Sequence, residues 1–168
     1  MRPGLALAAI ILILDQISKW WVIEKVMRPE GVTETPFYSP QAIEILPFLH
    51  LVMAWNRGVS FGIFNNDGPW NALLLSILAL VISACLIYWM RKADGLWMKL
   101  SLGLIVGGAL GNVIDRVRFG AVADFVFFHV GSFEWPAFNL ADSAISVGAV
   151  LLLAQSLFGG RVSHKNTP

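Results

Sequence analysis

Asp124 and Asp142 are the side chains of this sequence best suited to chemistry. They stand 18 residues apart, within GAVADF and PAFNLADS, at the edges of long apolar runs. A carboxylate is costly in hydrocarbon, so acids placed this way are functional candidates. Two carboxyl groups in contact cannot both ionise cheaply and come to share a proton. One then serves as base toward a water molecule while the other donates to a peptide carbonyl oxygen. A plainer alternative exists for Asp142. Asn139 is a good helix N-cap, and an acid three residues later falls in the first turn, where the helix dipole favours it. The same dipole makes Asp142 the expected more acidic partner, although coupled acids titrate as a pair. Both acids are expected at outer helix ends, joined by a loop that folds back so that they face one pocket.

The elements that must position them are apolar. Of 168 residues, 57% are hydrophobic and 14% charged, with a mean hydropathy of +0.68. A soluble domain carries about 25% charged residues. Residues 5–26, 70–90, 100–117 and 140–158 each approach the ~20 residues that a ~30 Å hydrocarbon core requires. The first segment lacks a small-residue cleavage site and holds Asp15 and Lys19, so it is expected to remain as a permanent helix. The fold class is an all-α integral membrane protein with four transmembrane helices, a single membrane-embedded domain over 1–168. Its extracytoplasmic connections are 27–69 and 118–139. The first is rich in proline, glycine and β-formers (AIEILPFLHLVMAW) and predicts short strands plus a surface-lying segment. The second, Phe119–Pro136, is read as a loop carrying Asp124.

Orientation rests on one short loop. An even number of spans puts both termini on one side, with Arg2, Arg91, Lys92, Lys99, Arg161 and Lys165. The other side holds Lys25, Arg28, Arg57, Arg116 and Arg118, so the totals barely differ. The short loop MRKADG decides for cytoplasmic termini, because short loops obey the positive-inside rule best. Trp20, Trp21 and Trp70 then mark the outer interface, and Trp89 and Trp97 the inner one.

Other polar residues have competing readings. Gly103, Gly107 and Gly111 put a smooth stripe on one helix face, which lets a neighbour approach closely. Asn112, Asp115 and Arg116 share a face beyond that stripe. They are either a polar helix end in which Asp115 holds Arg116, or donors (Asn112 and Arg116) to a substrate backbone. Asp15 and Lys19, four apart, form an opposite-charge pair deep in the membrane that pins the first helix to its neighbours. The alternative for them is the proton relay of a small transporter. A third possibility is a non-enzymatic assembly protein whose glycine stripe binds helices. WNRGVSFG, residues 55–62, reads on spacing alone as a plain turn. Cys85 lies in an apolar run and is expected as a small packing residue. His50, His129 and His164 are scattered, with no HExxH, so no metal site and no cofactor are expected. Ser18 and Lys19 point apart and make no dyad. A net charge of +1 gives no reason for a nucleic-acid partner.

Taken in order, the motifs resemble those of the bacterial lipoprotein signal peptidases, signal peptidase II. DQISK at 15–19, NRGVSFG at 56–62, GGALGNVIDR at 107–116, a G-x-V-x-DF element at 120–125 and PAFNLADS at 136–143 span nearly the whole chain. The resemblance implies an inner-membrane aspartic endopeptidase. It would cut diacylglyceryl-modified prolipoproteins before the lipidated cysteine. Asp124 and Asp142 match the catalytic pair. Asn56, Asn112, Arg116 and Asn139 match polar positions around the substrate site, where globomycin-like inhibitors also bind. Asp15 and Lys19 match the polar pair of the first helix. It also implies a small β-cradle and a surface helix over the site. Ser60 and Ala123 depart from the usual alanine and valine.

Overall fold

The computed structural model describes residues 1–58 and 70–158. Four helices carry the chain back and forth: α1 (Arg2–Trp21), α2 (Asn71–Lys92), α3 (Leu96–Phe119) and α4 (Leu140–Phe158). A π-helical turn, Val22–Val26, extends α1. All four are long and apolar enough to cross a membrane. Their outward faces need lipid: Leu74, Leu78 and Val81 of α2 and Val150, Leu153 and Leu157 of α4 are exposed. Cys85 is exposed as well, which corrects its expected packing role. It faces outward on a helix of which few side chains are buried.

The helix α3 is central and packs against the other three. Its glycine stripe is the reason. A Cβ on Gly103 would strike the Gly4 carbonyl, and one on Gly107 would lie 2.6 Å from the Ala8 carbonyl oxygen. Here α1 lies backbone to backbone on α3, so dispersion contacts replace side-chain interdigitation. Gly108, on the next face, meets the Ala141 carbonyl of α4 in the same way. Overpacking of this kind costs about 1–3 kcal/mol. We therefore expect Gly107→Val to lower the thermal unfolding midpoint in detergent, by separating α1 from α3.

At one end the start of α1 meets Lys99, just beyond the α2–α3 turn, and Gln155 of α4 donates to Ser101 Oγ at 2.9 Å. At the opposite end stands an antiparallel sheet in the order β1 (Ile43–Leu46), β2 (Leu49–Asn56), β3 (Val122–Val130) and β4 (Phe133–Phe138). The strands β1 and β2 fall where the first connection predicts them. No helix occurs among residues 27–58. The rest of that connection, with Ser60 and the end of NRGVSFG, lies outside the described residues.

The second connection is a β-hairpin, which corrects the loop expected there and the all-α class. Gly120, at φ 72°, closes α3 with its N–H on the Arg116 carbonyl, the usual left-handed helix stop. VADFVFFHV then follows, rich in β-branched and aromatic residues, and pairs with β2. Gly131, at φ 59°, turns the chain into β4. Asp124 is thus a strand residue, not a helix end. A small core fastens the sheet to the end of α1: Val22, Ile23 and Met27 pack with Tyr38, Met53, Ala123 and Phe125. Tyr38 Oη donates to the Ile23 carbonyl at 2.5 Å.

Candidate active site

Asp124 and Asp142 come together where β3 meets the start of α4, joined through one amide. Asn139 Nδ2 donates to Asp124 Oδ1 at 2.7 Å. The same side chain's Oδ1 accepts from the Asp142 N–H at 3.0 Å, while Asp142 Oδ2 accepts from the Asn139 N–H at 3.2 Å. That reciprocal pair is a capping box with Asn in place of Ser and Asp in place of Glu. Asn139 is completely buried and also bonds Asn112 Oδ1 and the Ala123 carbonyl, each at 3.3 Å. Its amide is spent on holding the two acids.

Asn56 approaches Asp124 from the neighbouring strand. The register sets Ala54 opposite Asp124 and Asn56 opposite Val122, so Asn56 and Asp124 share a sheet face. Asn56 Nδ2 donates to Asp124 Oδ2 at 3.0 Å, and its Oδ1 takes the Gly58 N–H at 3.0 Å. Asn112 serves Asp142, donating from Nδ2 to Oδ1 at 2.8 Å. Asp124 is 3% exposed, whereas Asp142 is half-buried and lines a cavity of about 270 Å³. Asn56, Asn112 and Arg116 line that cavity too; Asn139 does not. Burial, and then the negative charge of Asp142, push the Asp124 carboxyl up to about 7 from 3.8. Hydrogen bonds from Asn56 and Asn139 and the charge of Lys19 oppose that rise.

Beneath the acids lies an ionic cluster centred on Lys19. Its Nζ stands 2.9 Å from both Asp15 Oδ2 and Asp115 Oδ2 and donates to Asn112 Oδ1 at 3.0 Å. Asp115 therefore pairs with Lys19, not with Arg116 as the helix spacing allowed. Arg116 instead donates from Nη2 to the Gly58 carbonyl at 3.1 Å. An ammonium has no acceptor, so Lys19 fixes the Asn112 oxygen toward itself and the amide N–H₂ toward Asp142. Asp115 Oδ2 accepts the Ala123 N–H at 3.2 Å, and Asp15 Oδ1 accepts the Ala141 N–H at 3.0 Å. Each acid of the pair thus follows an alanine whose backbone is held by one carboxylate of the cluster. Gln16 completes it, donating to Asp115 Oδ1 at 3.0 Å and the Gly111 carbonyl at 3.2 Å. Asp15 sits beside the start of α4, so the cluster belongs to the site end of the bundle.

Gln16 is the residue that sequence reasoning missed, and it gives no signal. Asp115 is legible on the face of Asn112, but spacing pairs it with Arg116 where the fold pairs it with Lys19. Among the described residues, no group of three or more His, Cys, Asp and Glu is arranged to hold a metal ion.

The profile of a family described as Signal peptidase (SPase) II matches residues 7–158. The chain belongs to the signal peptidase II family. The lipoprotein signal peptidase of Methylobacterium sp. (strain 4-46) is 42% identical over 161 residues, covering 94% of this chain and 92% of that protein. The lipoprotein signal peptidase of Psychromonas ingrahamii is 39% identical over 164 residues, covering 96% and 88%. A solved structure described as a bacterial membrane enzyme superposes with a TM-score of 0.79 at 26% identity, covering all of this chain and 94% of its own. These likenesses support a membrane peptidase and lend nothing to a transporter. Within this signal peptidase II fold, the matched span contains both acids, the whole Lys19 cluster and every residue bonded to either.

Proposed function

We propose that Asp124 and Asp142 are the catalytic pair of a lipoprotein signal peptidase, an aspartic endopeptidase that cuts on the N-terminal side of a diacylglyceryl-modified cysteine. The observation that carries this reading is Asn139, which bonds both carboxyl groups, Asp124 through its side-chain Nδ2 and Asp142 through its backbone N–H. A single peptide carbonyl can then face both. Asp124, whose proton is favoured by burial, donates to the carbonyl oxygen. Asp142, half-exposed at the cavity, takes a proton from water as the water oxygen bonds to the carbonyl carbon. The tetrahedral intermediate collapses when that proton passes to the departing nitrogen, the C–N bond breaks and Asp124 takes back its proton from the diol oxygen. Asn56, Asn112 and Arg116, on the cavity wall, present polar groups to the substrate backbone, and globomycin-like inhibitors would compete for the same wall.

The setting suits a substrate anchored by its own acyl chains, each CH₂ adding about 0.8 kcal/mol of membrane attachment. Such a bond reaches water only near the membrane surface, and both acids stand at the sheet end of the bundle. We place that end at the periplasmic face of the bacterial inner membrane, with both termini and the Ala93–Gly95 turn cytoplasmic. Lipids of that membrane surround α2 and α4, and the chain acts as one peptidase unit.

Purified enzyme acting on a diacylated prolipoprotein, read by gel shift, tests the activity. An intact substrate after prolonged incubation would refute it. The proton on Asp124 adds a pH signature. Because its carboxyl titrates at about 7, kcat/KM should fall about tenfold per pH unit above that value as the general acid is lost. A rate that stays level from pH 7 to 9 would remove Asp124 from the acid role.

A further inference from the structure

A groove separate from the peptidase cavity runs along α1. Leu12, Ile13, Gln16, Ile17 and Trp20 line about 320 Å³ there, and none of them lines the cavity beside Asp142. Ile13, Ile17 and Trp20 are each more than half exposed, so the groove opens outward from the bundle. Spacings of three and four put these side chains on one helix face. From Leu12 to Trp20 that face rises about 12 Å, close to the ~15 Å depth of one leaflet's hydrocarbon. Trp20 stands at the end where α1 reaches the sheet, the level at which an interfacial tryptophan lies.

The π-helical turn Val22–Val26 decides what caps the groove. The Met27 N–H reaches back five residues to the Val22 carbonyl at 2.8 Å. In an unbroken α-helix Glu24, four residues on, would stand over Trp20. The wider turn brings Lys25 there instead, with Nζ 5.7 Å from the indole centroid. Glu24 is taken by Arg28, whose Nη2 lies 2.7 Å from each carboxylate oxygen. Lys25 is exposed and meets no carboxylate among the described residues, where the ion pairs are those of Lys19 and Arg28. An ammonium without a counter-charge therefore stands at the head of an apolar channel. Single π turns inside α-helices frequently mark functional positions.

We propose that this groove binds one anionic phospholipid, with an acyl chain along Leu12–Trp20 and its phosphate on Lys25. The lining is apolar except for Gln16, which suits a hydrocarbon chain, and the phosphate supplies the negative charge that the fold withholds from Lys25. A headgroup of net negative charge is preferred over a zwitterionic one, whose own cation repels the lysine. The bound chain has a structural consequence. Gln16 also donates to Asp115 Oδ1 and to the Gly111 carbonyl, so a chain packed on Gln16 keeps water from the ion cluster beneath the acids. This site stands whether or not the acid pair is catalytic.

The test uses the full chain in lipid-free detergent micelles, titrated with phosphatidylglycerol or with phosphatidylcholine carrying the same acyl chains. Native mass spectrometry counts the bound lipid, and thermal unfolding reads its effect. One phosphatidylglycerol per chain should bind, about fivefold more tightly than phosphatidylcholine, and raise the unfolding midpoint. Lys25→Gln should erase that preference. Lys92→Gln, which removes a similar ammonium from over Tyr88 on α2, should keep it. Ile17→Trp, which fills the groove, should weaken both lipids together. Equal binding of the two lipids by the wild type, or equal losses in Lys25→Gln and Lys92→Gln, overturns the proposal. So does a wild-type dimer that Ile17→Trp dissociates, since the groove then holds a second copy of the chain. The wild-type comparison of the two lipids decides the matter even if a variant folds poorly.

Discussion

Asp124→Asn and Asp142→Asn should each leave a folded membrane protein that cleaves a diacylated prolipoprotein about 10³–10⁴-fold more slowly than wild type. The two losses should not multiply in the double variant, because a pair that shares one proton works as a unit. Asparagine keeps the shape and leaves the Asn139 bridge a partner at either position, so the deficit should lie in kcat more than in KM. Single-turnover cleavage rates beside thermal unfolding curves check both halves. Substantial turnover by either variant would exclude that acid from the reaction.

Stability should respond to Asp124→Asn in a direction that depends on pH. The Asp124 carboxyl is raised from 3.8 to about 7 in the folded chain, so between those values the folded protein keeps a proton that the unfolded chain has lost. Wild-type stability then declines as pH rises through that window and is lowest above it. Each pH unit is worth about 1.4 kcal/mol, on the order of 4 kcal/mol in all for the acid pair. The asparagine variant escapes this decline. Its unfolding midpoint relative to wild type should therefore climb from pH 4 to pH 7 and level off beyond. A parallel pH dependence for the two proteins would contradict the burial that raises Asp124.

The parts of this arrangement legible in the sequence are those set by local pattern. Hydropathy marks the four helices, the four-residue glycine spacing marks the face on which α1 lies, and Asn139 with Asp142 announces the start of α4. What escaped depends on pairing between distant segments. VADFVFFHV is an apolar run between two membrane helices, and alone it could be loop or strand; β2, some seventy residues earlier, makes it a strand. The same register brings His50 to His129, which no spacing rule would connect. Asp115 has Arg116 beside it in sequence, yet Lys19 from another helix reaches it first. In each case the decisive partner is remote in the chain and near only after folding.

Lys19→Met should be among the most damaging substitutions outside the acid pair, although Lys19 touches neither acid. The change leaves Asp15 and Asp115, both fully buried, without their shared cation. Removing one partner of a buried ion pair costs about 3–5 kcal/mol, and here one cation serves two carboxylates. A poorly folded product alone would say nothing about catalysis. The triple variant Lys19→Met with Asp15→Asn and Asp115→Asn removes the stranded charges while keeping oxygens that can accept the Ala141 and Ala123 N–H groups. It should recover most of the lost stability. Cleavage should still run on the order of 10²-fold below wild type, with the loss in kcat, since only the longer 3.3 Å bond from Asn139 then holds the Asn112 oxygen and its amide turns away from Asp142 more readily. Full activity in a stable triple variant would mean that the cluster only holds the helices together. A stable but slow enzyme would mean that Lys19 also orients the acid through Asn112.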